Sequence, residues 1–206
     1  MAKQLMTVKP PRPISFYPTR EWATVELLQR MPLEHGDVIL EPACGDSAIA
    51  QVMKDFSNHI HVFTNDIDPD RQADFHYDMT LRESWKWIER STGGFDWVIG
   101  NPPFSSIPPY GKKRGKPIVH LFVQLAYQYA RKGVIFLLGK SFTEPVSYRK
   151  VWLQTYTPEQ FLELRLERIQ FKDDDRSNEV ACDWYGWQHG HSGGFIPEYI
   201  SRGMWF

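Results

Sequence analysis

The stretch 37–55, DVILEPACGDSAIAQVMKD, decides the fold. Val38, Ile39 and Leu40 form a short apolar run, which suits a buried strand. Pro42 and Gly45 then interrupt it. From Ser47 to Asp55 the apolar residues Ala48, Ile49, Val52 and Met53 return on one side of a helix. A strand that turns through a glycine into a helix is the opening unit of an α/β sheet. The turn is no dinucleotide fingerprint, because Ser47 and Ala50 stand where GxGxxG demands glycine. No Gly-Lys-Ser/Thr follows, which excludes a Walker loop. The turn therefore suits a ligand without a pyrophosphate, approaching the backbone closely at Gly45.

The alternation continues outward. Before this unit, Trp22, Val25, Leu28 and Met31 recur every third residue and predict a helix starting near Thr19. After it, His61–Thr64 reads as a second strand that ends at Asn65-Asp66. Thr80, with Glu83 three residues on, predicts a capping box at the start of a helix. Phe95–Gly100 reads as a strand, and Ile118–Arg131 as an amphipathic helix stopped by Gly133. Val134–Leu138 is a strand, and a further helix is expected from about Pro145 to Leu153. Phe161–Phe171 and Val180–Gln188 read as strands around a polar turn, Asp173–Asn178. That turn is too short for a parallel crossover, so the last strand is antiparallel. The whole predicts a doubly wound, mostly parallel sheet with a reversed C-terminal hairpin. Trp184 and Trp187, three apart, are expected on opposite faces of the last strand, one in and one out.

A length of 206 residues, with 42% hydrophobic and 24% charged, gives one globular domain. These values exclude a disordered tail, a collagen-like fibre and a disulfide-stapled miniprotein. Residues 1–15, with Pro10, Pro11 and Pro13, are expected to form a flexible arm, and 16–206 a single domain. The net charge of -1 supplies no global positive field, so any nucleic-acid site must be local. Cys44 and Cys182 read as free thiols in a reducing compartment. The start, MAKQLMTVKPPRP, lacks a secretory apolar stretch, and Gly133–Gly139 is far shorter than the ~20 residues of a membrane span, so the expectation is a cytoplasmic protein.

Ligands of open α/β sheets bind beyond the carboxyl ends of the strands. Asp66, 21 residues after Gly45, is placed there to accept hydrogen bonds from ribose hydroxyls. Asp68 before Pro69 better fits a helix cap. Asp78 would accept from an adenine amino group if an adenine lay nearby. The segment Gly100-Asn-Pro-Pro-Phe104 is the sharpest signal. Its two prolines stiffen the backbone and remove donors. They leave the Asn101 side-chain carbonyl and the Pro102 backbone carbonyl as adjacent acceptors, which match a planar NH2 group. Phe104 offers a flat face for a ring. The stretch 105–117, SSIPPYGKKRGKP, adds Lys112, Lys113, Arg114 and Lys116 without an acid. His189 and His191 lack the further ligands of a metal site, so no metal is expected.

Five segments in order resemble the class I S-adenosylmethionine-dependent methyltransferases that modify amino nitrogens. They are Phe16-Tyr-Pro-Thr19 with the helix after it, Glu41-Pro-Ala-Cys-Gly-Asp46, Asn65-Asp66-Ile-Asp68, Asp78, and Asn101-Pro-Pro-Phe104. The likeness is greatest to small phage-type NPPF enzymes, whose C-terminal hairpin ends in a tryptophan-rich strand like Asp183-Trp-Tyr-Gly-Trp187. The resemblance implies a seven-stranded Rossmann-like sheet and S-adenosylmethionine as cofactor. Tyr17, Thr19, Glu41, Ala43, Gly45, Asp66, Ile67, Asp78 and Asn101 would form the cofactor site. Thr19, Glu41 and Gly45 would face its methionine end, Asp66 its ribose and Asp78 its adenine. Asn101, Pro102, Pro103 and Phe104 would be catalytic, and Phe104, Lys112, Lys113, Arg114 and Lys116 would meet the substrate. Ser47 departs from the second glycine usual in the first motif.

The implied reaction is methylation of an exocyclic amino group in a nucleic acid, with N6 of adenine in DNA favoured over N4 of cytosine. A base in duplex DNA would have to be flipped out. RNA adenine, a protein glutamine amide and an inactive cofactor-binding subunit of a methyltransferase complex are the alternatives. No separate target-recognition domain is visible, so specificity would come from loops or from a protein partner, or be low. Oligomeric state is not legible.

Overall fold

The computed structural model describes residues 18–103, 118–143, 160–166, 169–170, 179–192 and 197–200. The parallel strands β1 (Val38–Glu41), β2 (His61–Thr64), β3 (Trp97–Gly100) and β4 (Gly133–Gly139) form one half of the sheet. The other half is β5 (Gln160–Leu166), β8 (Cys182–Gln188) and β9 (Glu198–Ile200). The seven strands run in the order β2-β1-β3-β4-β8-β5-β9. Only β8 is reversed, lying antiparallel between β4 and β5. Two short strands, β6 (Ile169–Gln170) and β7 (Glu179–Val180), pair as a separate antiparallel ladder that prolongs the hairpin. The expected doubly wound sheet with a reversed hairpin is what forms.

Helices cover both faces. α1 (Glu21–Leu28) and α2 (Ala48–Phe56) build one core with Ile39, Ile99, Ile135 and Trp184. α3 (Arg82–Thr92) and α4 (Val119–Tyr129) build the other with Leu40, Val98, Val134 and Trp187. Successive strand residues enter opposite cores, which is why β3 and β4 read as continuous apolar runs. Trp184 and Trp187 do take opposite faces, but both are fully buried. A strand covered on both sides has no outward face.

Several local expectations are corrected. In α1 the buried residues are Ala23, Thr24, Glu26, Leu27 and Leu28, with Trp22 and Val25 only half-buried. A stripe of strict threes drifts around a helix of 3.6 residues per turn, and pairs four apart stay on one face. α3 starts at Arg82 with Leu81 before it, and no capping box forms at Thr80. The Thr80 hydroxyl and N–H instead both donate to Asp78 Oδ1, at 2.7 and 2.9 Å. α4 ends at Tyr129 with Ala130 extended, so Gly133 does not stop it. Gly133 opens β4, where a Cβ would lie 2.4 Å from the Trp187 carbonyl oxygen and 2.8 Å from the Trp97 ring. Close approach of β8 and of an indole requires glycine there. β9 was not foreseen, because three residues carry no alternation. The expected helix 145–153, the N-terminal arm and the Asp173–Asn178 turn lie outside the described residues.

The two ends of the sheet differ. At the amino end of the strands, Asp37 is buried, accepts from Glu34 N–H and Trp97 Nε1, and pairs with Lys132 at 2.6 Å. Asp96 Oδ2 accepts from Val38 N–H at 2.9 Å. These bonds tie strand to strand and give the buried Asp37 carboxylate its partners. The carboxyl end carries the motifs.

Candidate functional site

Glu41 ends β1 and is 2% exposed. Its Oε2 accepts from Ala50 N–H at 2.8 Å, so a strand carboxylate satisfies a donor in the first turn of α2. Asp46 Oδ1 receives Ala48 N–H at 3.3 Å. Burial raises the Glu41 pKa well above the carboxylate range, the Ala50 N–H opposes this, and Asp46 and Asp66 add to the rise. No other hydrogen bond to the Glu41 carboxylate occurs among the described residues. Cys44 is a free thiol pushed up to about 12 by burial, which makes it packing and not a nucleophile. Cys182 is likewise free and buried.

Gly45 and Ser47 both have positive φ, 57° and 64°. The usual glycine position is therefore filled by a serine in the left-handed conformation, at a cost of roughly 1–2 kcal/mol. Ser47→Gly is expected to stabilise the fold by about 0.5–1 kcal/mol, the relief less the extra freedom of glycine in the unfolded chain. A urea midpoint shifted upward at constant slope would bear this out, and an unchanged or lower midpoint would refute it.

Asp66, 8% exposed, follows β2 by two residues and braces this turn. Its Oδ2 accepts from Gly45 N–H and its Oδ1 from Asp68 N–H, each at 2.8 Å. The structure thus brings the expected ribose carboxylate against the glycine turn. Ala43 and Ile67 lie half-buried beside these two residues in the chain.

The path from Asp66 to Asp78 is a loop that returns beside β2. Asn65 and Phe75 form a lone parallel bridge, and Asp74 Oδ2 accepts both the Thr64 N–H and its hydroxyl. Asp78 then binds Thr80 through Oδ1 alone, while the Ser84 hydroxyl donates to its carbonyl at 2.6 Å. Among the described residues, Asp78 Oδ2 and the neighbouring Met79 N–H make no hydrogen bond. An acceptor and a donor side by side match the amino and ring-nitrogen edge of an adenine.

Asn101 leaves β3 beside Glu41, because Gly100 admits the β1 end. A Cβ on Gly100 would lie 3.2 Å from Pro42 Cδ and 3.7 Å from Glu41 Cγ. Asn101 Nδ2 donates to Thr19 Oγ1 at 3.3 Å, joining the leading segment to the acceptor motif across 82 residues. Thr19 is 5% exposed, Pro102 is buried and Pro103 half-buried. Trp184 Nε1 donates to Ala23 carbonyl at 2.8 Å, which docks α1 and so positions Thr19. Thr19, Glu41, Gly45, Asp66, Asp78 and Asn101 thus all lie at the carboxyl ends of β1, β2 and β3 or on the segments joined to them. Tyr17, Phe104, Lys112, Lys113, Arg114 and Lys116 lie outside the described residues.

Sequence reasoning missed Asn65. It is 0% exposed, and its side chain bonds Pro42 and Tyr77. An asparagine next to the conspicuous Asp66 was the available signal. His189 and His191 belong to no metal cluster among the described residues, and the His189 ring packs on Tyr127 with centroids 4.0 Å apart. No helix among the described residues is long and apolar enough to cross a membrane.

A family model described as Eco57I restriction-modification methylase matches residues 41–170. Among solved structures, a type I restriction-modification methyltransferase subunit from Streptococcus thermophilus superposes with TM-score 0.62 at 13% identity, covering 89% of this chain and 46% of that one. A Listeria monocytogenes protein assigned to the class I S-adenosylmethionine-dependent methyltransferases gives TM-score 0.56 at 12% identity, covering 86% and 62%. The EcoKI M protein, of a type I restriction enzyme, gives 0.57 at 13%, covering 88% and 44%. The chain therefore spans less than two thirds of each of these, and the likeness establishes the fold. No curated protein sequence matches the chain.

Proposed function

This chain belongs to the Eco57I restriction-modification methylase family, and from that premise we infer that it methylates an exocyclic amino group of a DNA base with S-adenosylmethionine, N6 of adenine being the favoured atom. The observation that carries the reading is Asn101, held by Thr19 at the end of β3 and followed by Pro102 and Pro103.

The residues present suit the cofactor. Glu41 offers an oxygen to an ammonium, the Gly45 turn admits a close ligand, and Asp78 Oδ2 with Met79 N–H fits an adenine edge. Asp66 has acceptor lone pairs left on both oxygens for ribose hydroxyls. S-adenosylmethionine, when bound, supplies an electrophilic methyl group on a sulfonium. Asn101 Oδ1 and the Pro102 carbonyl accept the two N–H bonds of the substrate amino group. They draw its nitrogen out of conjugation with the ring and stabilise the positive charge it acquires. No strong base is required, because the methylated ammonium is acidic.

The deciding experiment offers labelled S-adenosylmethionine to unmethylated DNA, RNA and a protein extract in parallel, with mass analysis of the labelled product. N6-methyladenine in DNA is the expected product, and N4-methylcytosine would correct the base alone. Label on RNA or protein would overturn the substrate. No label with a bound cofactor would point to a subunit that needs its catalytic partner.

Glu41 gives the reading a pH signature. Its raised pKa keeps the carboxyl neutral over a window above the ordinary value. An ammonium ligand favours the carboxylate, so binding releases a proton in that window. Affinity for S-adenosylhomocysteine is expected to rise with pH until the raised pKa is passed, then to level off. In Glu41→Gln the slope should vanish and binding should weaken. Calorimetry in two buffers of different ionisation enthalpy measures the proton directly. Equal proton release by the variant would exclude Glu41 as its source.

A further inference from the structure

We propose that Asn65 is a positioning residue that joins the three strips of the cofactor site, fixing their separations before any ligand arrives. The proposal rests on the reading of that site as one for S-adenosylmethionine.

Asn65 itself cannot touch a ligand, since it is 0% exposed. Its Nδ2 donates to the Pro42 carbonyl at 3.0 Å and to the Tyr77 carbonyl at 3.1 Å. Its Oδ1 accepts from Tyr77 N–H at 2.9 Å. Its backbone N–H donates to the Glu41 carbonyl at 2.8 Å, and its carbonyl accepts from Cys44 N–H at 2.9 Å. One residue therefore ties the Glu41–Gly45 turn to the Tyr77–Met79 strip, and its chain neighbour is Asp66. Tyr77 immediately precedes the Asp78 carboxylate and the Met79 N–H.

The pattern of polarity is specific. Both side-chain protons meet carbonyls, and the side-chain oxygen meets an N–H. A carboxamide satisfies all three in a dry setting, where each unmade bond is costly. Aspartate has the same shape but would aim an oxygen at two carbonyl oxygens. The loop between the strips has its own closures, Asp66 N–H to Phe75 carbonyl, Phe75 N–H to Thr64 carbonyl, the Asp74 contacts with Thr64, and His76 Nδ1 against the Asp66 carbonyl at 3.2 Å. None of these reaches Tyr77. Among the described residues, the Asn65 side chain is therefore the direct hydrogen-bonded link between Tyr77 and the glycine turn.

The test uses Asn65→Asp with S-adenosylhomocysteine as the probe, at a temperature where circular dichroism shows the variant folded. A strip that must be ordered on binding lowers affinity by the fraction of chains already competent, so the dissociation constant should weaken at least about 10-fold. KM for the cofactor should rise by the same factor, and kcat at saturating cofactor should stay within about threefold of wild type. Gly133→Ala serves as the control. It strains the sheet on β4, outside the site, and should lower the melting temperature while leaving the dissociation constant unchanged. A folded Asn65→Asp chain with wild-type affinity would overturn the proposal, and so would a fall in kcat with affinity intact.

If Asn65→Asp does not fold, hydrogen exchange on the wild type decides. Tyr77 N–H should be protected in the ligand-free chain, whereas Met79 N–H should slow only when S-adenosylhomocysteine is added. A Tyr77 N–H that exchanges as an open loop until the probe is present would refute the clamp. If the wild type does not bind the probe, the reading of the site fails, while Tyr77 protection still reports on Asn65.

Discussion

Asn101→Ala is expected to lower the rate of methyl transfer by about 10²–10³-fold, the range found when one aligned polar group is removed from a reacting centre. The expectation follows from the position of the amide. Its Nδ2 donates to Thr19 Oγ1, which fixes the orientation of the amide at the end of β3. The Oδ1 acceptor matters most when the substrate nitrogen gains positive charge, so its loss falls on kcat. Affinity for S-adenosylhomocysteine should stay within about threefold, because the ionic and ribose contacts proposed for Glu41 and Asp66 lie at other strands. Single-turnover transfer to unmethylated DNA, beside calorimetry with the probe, separates the two. An alanine variant with ordinary turnover would remove Asn101 from the chemistry.

Asp66→Ala should show the opposite split. Its carboxylate holds Gly45 N–H and Asp68 N–H, and both donors are left without their partner when it is removed. Hydrogen bonds to a charged group contribute about 1.5–3 kcal/mol each, and the proposed ribose contacts would be lost in addition. The dissociation constant for S-adenosylhomocysteine should therefore weaken by about 10²-fold or more, while saturating cofactor restores most of kcat. Asp66→Asn should be milder, since a carboxamide oxygen still serves one of the two donors. Unchanged affinity in folded Asp66→Ala would leave the carboxylate a brace for the turn and nothing more.

The fold was legible where the pattern was long or bounded by turn residues. β2 was readable to the residue, because His61–Thr64 lies between a helix end and Asn65-Asp66. The antiparallel setting of β8 followed from the length of the turn before it. Positions whose reason lies in a distant neighbour were not legible. Gly133 looked like a helix stop, yet the Trp187 carbonyl and the Trp97 ring are what exclude a side chain there. Thr80 looked like a cap, yet the Asp78 carboxylate two residues back takes both its donors. The site divided in the same way. Asp66 and Asn101 declared themselves by following strands, whereas Asn65 acts through carbonyls of residues 42 and 77, which no spacing rule connects.

The place of β8 has a consequence for how the chain is made. Four parallel strands emerge from the ribosome in sequence, and each can settle beside a strand already present. β5 cannot follow them, because β8, made later, occupies the gap between β4 and β5. The growing chain must hold β5 unattached until residues 182–188 arrive and fill the seam. The same arrival delivers Trp184 to the Ala23 carbonyl and so seats the helix that carries Thr19 to Asn101. A nascent chain lacking β8 would keep its glycine turn and Asp66 but lack the indole that docks α1. The Thr19–Asn101 contact is thereby tied to synthesis of the tryptophan strand, and partial chains would be exposed to proteases at β5.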